Sequence, residues 1–374
     1  MHVSPSVFNV GTTIRKLNSR FRRPPKISRS RWPVISATRP LFYFMRIFGL
    51  VPFEISEDHF IPGSCDLIYS FFCTLVHTYN RGILDITETA KVIFNYCVTL
   101  LNIMVAVWTR KKFIWVLNII KHFDLKVSDL NYPLKEGAAK VWVWSTGFCT
   151  AFLWIAISRT GMYAFCESWI DNIVYILNYV ATSLSTIKFS SIILLLGQRF
   201  RHLNRIAQHS RESATINNEH IVVDYKVIQQ LHNSLMDAGE SLNSQYEWPL
   251  LLWLMNLCVH SVSNLYFLIN WLMETPLWEA TRWALVHCMG WWLVMFVTQL
   301  LLLHIACHFT SDEVVVDPNY TLSLSLRYME PSFQLVIRKL NFSAAGCFSV
   351  NLPLLSSISA ILTTYLVLLL QFQT

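Results

Sequence analysis

Residues 282–308 read RWALVHCMGWWLVMFVTQLLLLHIACH. One arginine opens the run, and no other Lys, Arg, Asp or Glu interrupts it. As a helix rising about 1.5 Å per residue it is about 40 Å long, enough to cross a hydrocarbon core of roughly 30 Å. The run therefore predicts a transmembrane helix. Six more apolar stretches of comparable length follow the same logic, near 64–84, 92–109, 140–158, 170–197, 249–273 and 347–372. Composition agrees: of 374 residues 53% are hydrophobic and only 14% charged, where a soluble domain carries about a quarter charged. Fourteen Trp and 24 Phe suit bilayer interfaces and helix-packed cores. The expectation is an all-α membrane protein of seven transmembrane helices.

Two further N-terminal features are read from residue type. LFYFMRIFGLVPF at 41–53 is too short to span, contains Arg46, and is bracketed by Pro40 and Pro52, so it predicts an interfacial or re-entrant helix. Residues 1–40 are basic and proline-bearing without a continuous apolar core, so no cleavable signal peptide is expected.

The net charge of +7 does not point to nucleic acid, because the basic residues are sorted by topology and form no nucleic-acid-reading module. Of 30 Lys and Arg, 25 fall on one side of the predicted spans: in the tail through residue 63, in 110–140, and in the connections after the fourth and sixth spans. The opposite side keeps Arg81, Lys91, Arg159 and Arg282, and Lys188 lies inside the fourth span. Positive charge is retained in the cytoplasm, so the amino terminus is expected to be cytoplasmic and the carboxyl terminus extracellular. This is opposite to a rhodopsin-type G-protein-coupled receptor, and the third and seventh spans carry no DRY-like or NPxxY motif.

The cytoplasmic connections also carry helical periodicity. Leu196, Phe200, Leu203 and Ala207 recur beside Arg199, Arg201 and Arg205, which extends the fourth helix below the membrane. Leu322, Leu326, Met329, Phe333, Val336, Ile337 and Leu340 mark a second apolar face, although TLSLSL at its start alternates as a strand does. Both faces suit a helical cytoplasmic platform or helices lying flat on the bilayer.

The chain closes on TYLVLLLQF at 364–372. Thr-Tyr, five hydrophobic residues and Gln-Phe resemble the closing motif of insect gustatory receptors, and RKLNFSAAGCFSVNLPLLSSISAI before it and RPLFYFMRIFGLVPF near the start resemble that family as well. The related odorant receptors share a looser version of the motif. The resemblance implies a tastant-gated, non-selective cation channel, a homotetramer or a heterotetramer with other gustatory receptors, in the plasma membrane of gustatory neurons, requiring no G protein. It also implies a division into a cytoplasmic tail (1–63), a six-helix ligand-binding region (64–308), a cytoplasmic anchor helix (309–346) and a pore-forming seventh helix (347–374).

On the last helix Ile361, Thr364, Tyr365, Leu368, Gln371 and Phe372 recur at spacings of three or four and form one stripe. The family pattern implies that Leu368 is the hydrophobic constriction and that Gln371 lies just beyond it, where leucines gate by dewetting and amides replace part of an ion's hydration shell. The competing reading places the leucines against lipid with Tyr365 as an interfacial anchor. Gly346 and Pro353 allow a break before this helix.

A ligand pocket needs aromatic walls and a few inward polar groups. Tyr175, Asn178, Tyr179 and Thr182 share a face of the fourth span. The fifth offers His260, Asn264, Phe267 and Trp271, and the sixth offers His287 and Trp291 after Trp283. Helix-to-helix hydrogen bonding explains any single Asn or Thr equally well. Bitter compounds and sugars both fit such a pocket, and its aromatic bias favours bitter ones.

Lys188 is expected either to snorkel toward the cytoplasm or to pair with an acid. HIACH at 304–308 places two histidines at i and i+4, but lacks the glutamate and the further ligands a zinc site needs, so no metal is expected. Nine cysteines without a CxxC pair give no disulfide framework. The sequons at Asn319 and Asn341 fall on the cytoplasmic side and are expected to stay unmodified. No nucleophile–base pair, phosphate loop or carboxylate pair suggests an enzyme, no cofactor is implied, and no inverted repeat suggests a transporter.

Overall fold

The structure is a computed structural model that describes residues 54–56, 59–61, 86–134, 137–166, 168–215, 223–274, 280–314 and 338–371. Among the described residues the helices are α1 (Ile86–Trp108), α2 (Arg110–Asp129), α3 (Gly137–Phe165), α4 (Trp169–Thr215), α5 (Tyr225–Glu274), α6 (Ala280–Glu313) and α7 (Leu352–Gln371). Two short antiparallel ribbons accompany them: β1 (Glu54–Ser56) with β2 (His59–Ile61), and β3 (Ser343–Ala344) with β4 (Phe348–Ser349). The expected first span at 64–84, the short run at 41–53 and the apolar face from Leu322 to Ile337 lie outside the described residues.

Among the described residues, five helices hold stretches long and apolar enough to cross a membrane: Lys91–Trp108, Val141–Phe165, Ile176–Ser210, Lys226–Met273 and Trp283–Glu313. They overlap the second to sixth expected spans. α7 adds the shorter apolar stretch Leu352–Leu368.

α4 is the central post. Nearly every residue from Ile176 to Phe200 is buried, and α3, α5 and α6 pack against the helix. Its many Ser and Thr residues keep its girth small, and their hydroxyls donate to carbonyls one turn back, as Ser183 does to Tyr179 (2.9 Å) and Ser185 to Ala181 (3.0 Å). Gly197 lets α6 come closer still, because a Cβ there would stand 2.7 Å from Thr310 Oγ1. α3 and α6 each turn an apolar stripe outward, Phe148, Phe152 and Ile155 on one and Val294, Val297, Leu301 and Ile305 on the other, as lipid contact requires.

With 47 and 50 residues, α4 and α5 are about 70 and 75 Å long, so each runs well past a membrane of roughly 30 Å. The extension of α4 is the one the periodicity of Leu196, Phe200, Leu203 and Ala207 announces, and all four are buried. The extension of α5 back to Tyr225 has no counterpart in the sequence reading, which began that helix at 249; Pro249 lies inside it. The segment read as a basic connection after the second span is also helical. α2 follows α1 through Thr109 with its hydrogen-bond ladder nearly unbroken, and Phe113, Val116, Ile120, Phe123 and Val127 form its buried face.

Charged residues brace this long half of the bundle. Fully buried Arg199 forks onto both carboxylate oxygens of Asp124 on α2 at 3.2 and 3.0 Å and donates to the Leu195 carbonyl at 2.7 Å. Burial raises the Asp124 carboxyl above its usual value, outweighing the pull of the neighbouring guanidinium. Lys188 is also buried, its ammonium 5.5 Å from the ring centre of Phe113 and 6.0 Å from that of Tyr246. Aromatic faces thus stand beside this charge.

The approach to the last helix differs most from expectation. Leu340, assigned by periodicity to a helical face, belongs to an extended segment in which Leu340, Phe342 and Ala344 are buried at period two. The chain then reverses through Ala345 (φ 50°) and Gly346 (φ 71°), closed by the Cys347 N–H donating to the Ala344 carbonyl at 2.9 Å. The final helix consequently starts at Leu352 rather than at 347, with the Asn351 side chain accepting from the Leu354 N–H at 3.0 Å as its N-cap.

Candidate functional site

The polar residues expected to line a pocket converge where α1, α4 and α5 meet. Asn178 and Thr182 of α4 and His260 and Asn264 of α5 are all buried. α1 supplies what the sequence reading passed over: Asn95, Thr99 and Asn102, also buried and spaced four and three apart on one helical face. The Thr99 hydroxyl lies 2.9 Å from that of Thr182. The Asn95 side-chain oxygen accepts from Thr182 at 3.3 Å and from Asn256 at 3.0 Å. Lower on the same seam, the Trp253 indole N–H donates to Asn102 at 2.9 Å.

Hydrogen bonding within this cluster is incomplete. Both side-chain polar atoms of Asn178, the amide nitrogens of Asn95 and Asn102, the amide oxygen of Asn256 and Nε2 of His260 have no protein partner among the described residues. Leaving such a buried group unpaired costs about 1–3 kcal/mol, so a concentration of them is an invitation to a hydrogen-bonding guest.

An aromatic wall stands beside the amides. The Tyr179 ring meets those of His260 at 5.3 Å and Trp292 at 4.8 Å; His260 stacks on Phe296 at 4.9 Å, and Trp292 stacks on Phe296 at 5.4 Å. Trp154 of α3 closes the group edge-on to Trp292 at 5.3 Å. Toward the end of α5, Phe267 packs against Trp271, and the buried Lys91 ammonium lies 5.2 Å from the Phe267 ring centre.

Two sequence-chosen residues do not join this group. His287 is exposed and stacks on the exposed Trp283, and Trp291 is half-buried at the α3 side against Phe152. The inward face of α6 is instead Cys288, Trp292, Met295, Phe296 and Gln299, the last donating to Ser183 at 2.9 Å. Tyr175 lies on α4, but its side chain is outside the described set.

On α7 the stripe read as pore-facing stands away from the subunit's own core. Ile361, Thr364, Tyr365, Leu368 and Gln371 are all exposed, with Ile361 at 66% and Tyr365 at 55%. Leu354, Leu355 and Ile358 hold the opposite end of the helix to the core. Phe372 lies outside the described residues. A separate cleft of about 330 Å³ opens between α2 and α5, lined by His122, Lys126, Asn233 and Asp237 among others and remote from the buried amides.

The profile described as 7tm chemosensory receptor matches residues 38–374. The chain belongs to the 7tm chemosensory receptor family. As a member of the insect chemoreceptors it is a multi-pass membrane receptor and not an enzyme. This chemoreceptor is 26% identical over 161 residues to the gustatory receptor for sugar taste 43a of Drosophila melanogaster, an alignment covering 40% of this chain and 36% of that relative. Its fold is that of the insect olfactory receptor OR5 from Machilis hrabei, with a TM-score of 0.66 at 14% identity over 91% of this chain and 98% of that one. The OR5 structure in complex with eugenol gives a TM-score of 0.65 at 13% identity, covering 90% and 98%.

Proposed function

We propose that this chemoreceptor is a gustatory receptor subunit that forms a tastant-gated, non-selective cation channel. The observation that carries the proposal is α7: from Ile361 to Leu368 all residues but Leu362 and Leu366 are exposed, Ile361, Thr364, Tyr365 and Leu368 among them, which suits a helix packed between subunits around a shared axis rather than inside its own bundle. Four such helices would present rings of Leu368 and Gln371 to permeating ions. Kinship with the sugar-taste receptor favours the gustatory over the olfactory role.

The amino terminus is then cytoplasmic and the carboxyl terminus extracellular, which puts the amide and aromatic cluster in the outer half of the membrane and α2, with the lower halves of α4 and α5, in the cytoplasm. The tastant binds at that cluster. Unpaired amide donors and acceptors beside flat aromatic faces suit a small neutral molecule bearing hydroxyls. Sugars and phenols both answer that description, and the names sugar taste and eugenol attached to the relatives fall within it. The assembly is a homotetramer, or a heterotetramer with related receptors, in the plasma membrane of gustatory neurons.

The test is whole-cell recording from null cells expressing the chain, with a panel of sugars and phenolic bitter compounds, a G-protein blocker, and Gln371→Ala in parallel. Rapid, blocker-insensitive cation currents whose permeability ratios change in the variant support the channel. Surface-expressed receptor giving only slow, blocker-sensitive signals rejects it.

A further inference from the structure

The extended segment 338–350 is more than a connection. Arg338 Nη2 reaches Asp237 and Glu240 at 2.7 Å each, and its Nε reaches Glu240 at 2.9 Å. Leu340 fills the notch left by Gly239, where a Cβ would stand 2.5 Å from Leu340 Cδ2 and 3.2 Å from Leu196 of α4. The Ser343 N–H donates to the Asn243 side chain at 2.9 Å, and the Ala345 N–H donates to the Glu247 carbonyl at 3.0 Å. Residues 237, 240, 243 and 247 follow one another along a single face of α5, just before Pro249. The strap is therefore tied to α5 at each step. It then turns at Ala345–Gly346, bonds to itself through the Val350 N–H and the Phe342 carbonyl at 2.7 Å, and passes into the cap of α7.

Its other neighbour leads back to the candidate ligand site. Phe342 packs edge-on to Phe189 of α4 at 6.2 Å; Phe189 meets Trp253 at 5.9 Å; and Trp253 is the residue whose indole N–H is held by Asn102 in the buried amide cluster. Close-packed side chains of this kind transmit strain to one another. Resting on the channel reading above, we infer that the strap is the coupling element between ligand site and pore helix, with Arg338 and Phe342 as its positioning residues. A shift of α5 or of Phe189 caused by a ligand drags the strap and so re-aims α7. Contact alone does not establish coupling; a cycle of substitutions does.

The experiment compares wild type with Arg338→Gln, Glu240→Gln and the exchanged pair Arg338→Glu with Glu240→Arg, using whichever panel compound evokes the largest wild-type current. Each single variant is expected to shift the half-maximal concentration, or reduce the open probability, about three- to tenfold, in the range of an exposed ion pair with fork geometry. Tastant binding to purified receptor should change less than twofold, and the exchanged pair should recover most of the loss. A purely structural role predicts reduced surface expression and a parallel loss of tastant binding in the single variants, with gating of the surviving receptor unchanged. Hydrogen exchange at the amides of Ser343 and Ala345 in purified receptor gives a readout independent of conduction. Arg338→Gln should speed both several-fold, and Phe342→Leu with Phe189→Leu should prove non-additive. Wild-type gating and unchanged exchange in the variants would overturn the coupling role. A wild-type receptor that binds tastant without conducting would overturn the channel reading, and the exchange measurement would still decide whether the strap follows α5.

Discussion

Replacing Gly197 by alanine tests the close crossing that sets α4 against α6. Two effects oppose each other. Alanine is the better helix former by about 1 kcal/mol. Against this, the new methyl would stand 2.7 Å from Thr310 Oγ1 and 3.1 Å from two carbons of the Phe309 ring. Thr310 is fully buried and its hydroxyl donates to the Ile193 carbonyl of α4 at 2.8 Å, so it has little freedom to retreat. Overpacking of this kind costs about 1–3 kcal/mol, and loss of the hydroxyl's bond adds about 1 kcal/mol. Net destabilisation should be about 1–3 kcal/mol. At roughly 2 °C per kcal/mol this lowers the unfolding midpoint by roughly 2–6 °C in fluorescence-detected thermal unfolding of the detergent-purified receptor. Thr310→Ala alone should cost about 1 kcal/mol, and the double variant should unfold at a higher temperature than the sum of the single effects allows. An unchanged or raised midpoint for Gly197→Ala, or strict additivity with Thr310→Ala, would refute the crossing and with it the register that brings Tyr179 to Trp292.

Further consequences can be checked on the same preparation. Trp292→Ala should cost about 3–5 kcal/mol and weaken tastant responses, whereas His287→Ala at an exposed position should move stability by no more than about 0.5 kcal/mol; equal effects would contradict the observed face of α6. Replacing the buried pair by Asp124→Leu with Arg199→Met should be neutral or stabilising by about 1–4 kcal/mol in thermal unfolding, since desolvation outweighs attraction at that carboxyl. The same pair sets a pH dependence. Because the native carboxyl sits above its unfolded value of 3.8, the unfolded chain releases the proton first, so this residue's contribution to stability falls as pH rises from that value through the native one, and the double variant should lose the slope. His260→Phe keeps the ring stack on Phe296 but removes the unpaired Nε2, and should raise the half-maximal tastant concentration about tenfold with little loss of stability.

The second to sixth spans were legible because length and apolarity alone determine them. The inward faces were legible only where a helix is unevenly polar. Asn178, Tyr179 and Thr182 on α4 announce one side by their spacing, as do His260 and Asn264 on α5, and the structure buries all five. From Trp283 to Val297 the only strongly polar side chain on α6 is His287, which proved to face outward, so no contrast in that stretch told Trp292 from Trp291. Asn95, Thr99 and Asn102 carried the same signal as α4 and could have been found by it. The strap had a weaker signature. Its buried residues alternate at period two from Leu340 to Ala344, too short a run to compete with the helical pattern upstream, and its docking depends on Gly239 and Asn243, a hundred residues away along the chain. Contacts of that range leave no local periodicity to read.

Single-channel recording from purified receptor in a planar bilayer, with no G protein present, decides whether this chemoreceptor conducts ions by itself. Discrete, tastant-dependent cation steps are expected, with relative permeabilities that shift in Gln371→Ala. Receptor shown to bind tastant in the same membrane, yet passing no current at any concentration, would contradict the channel reading.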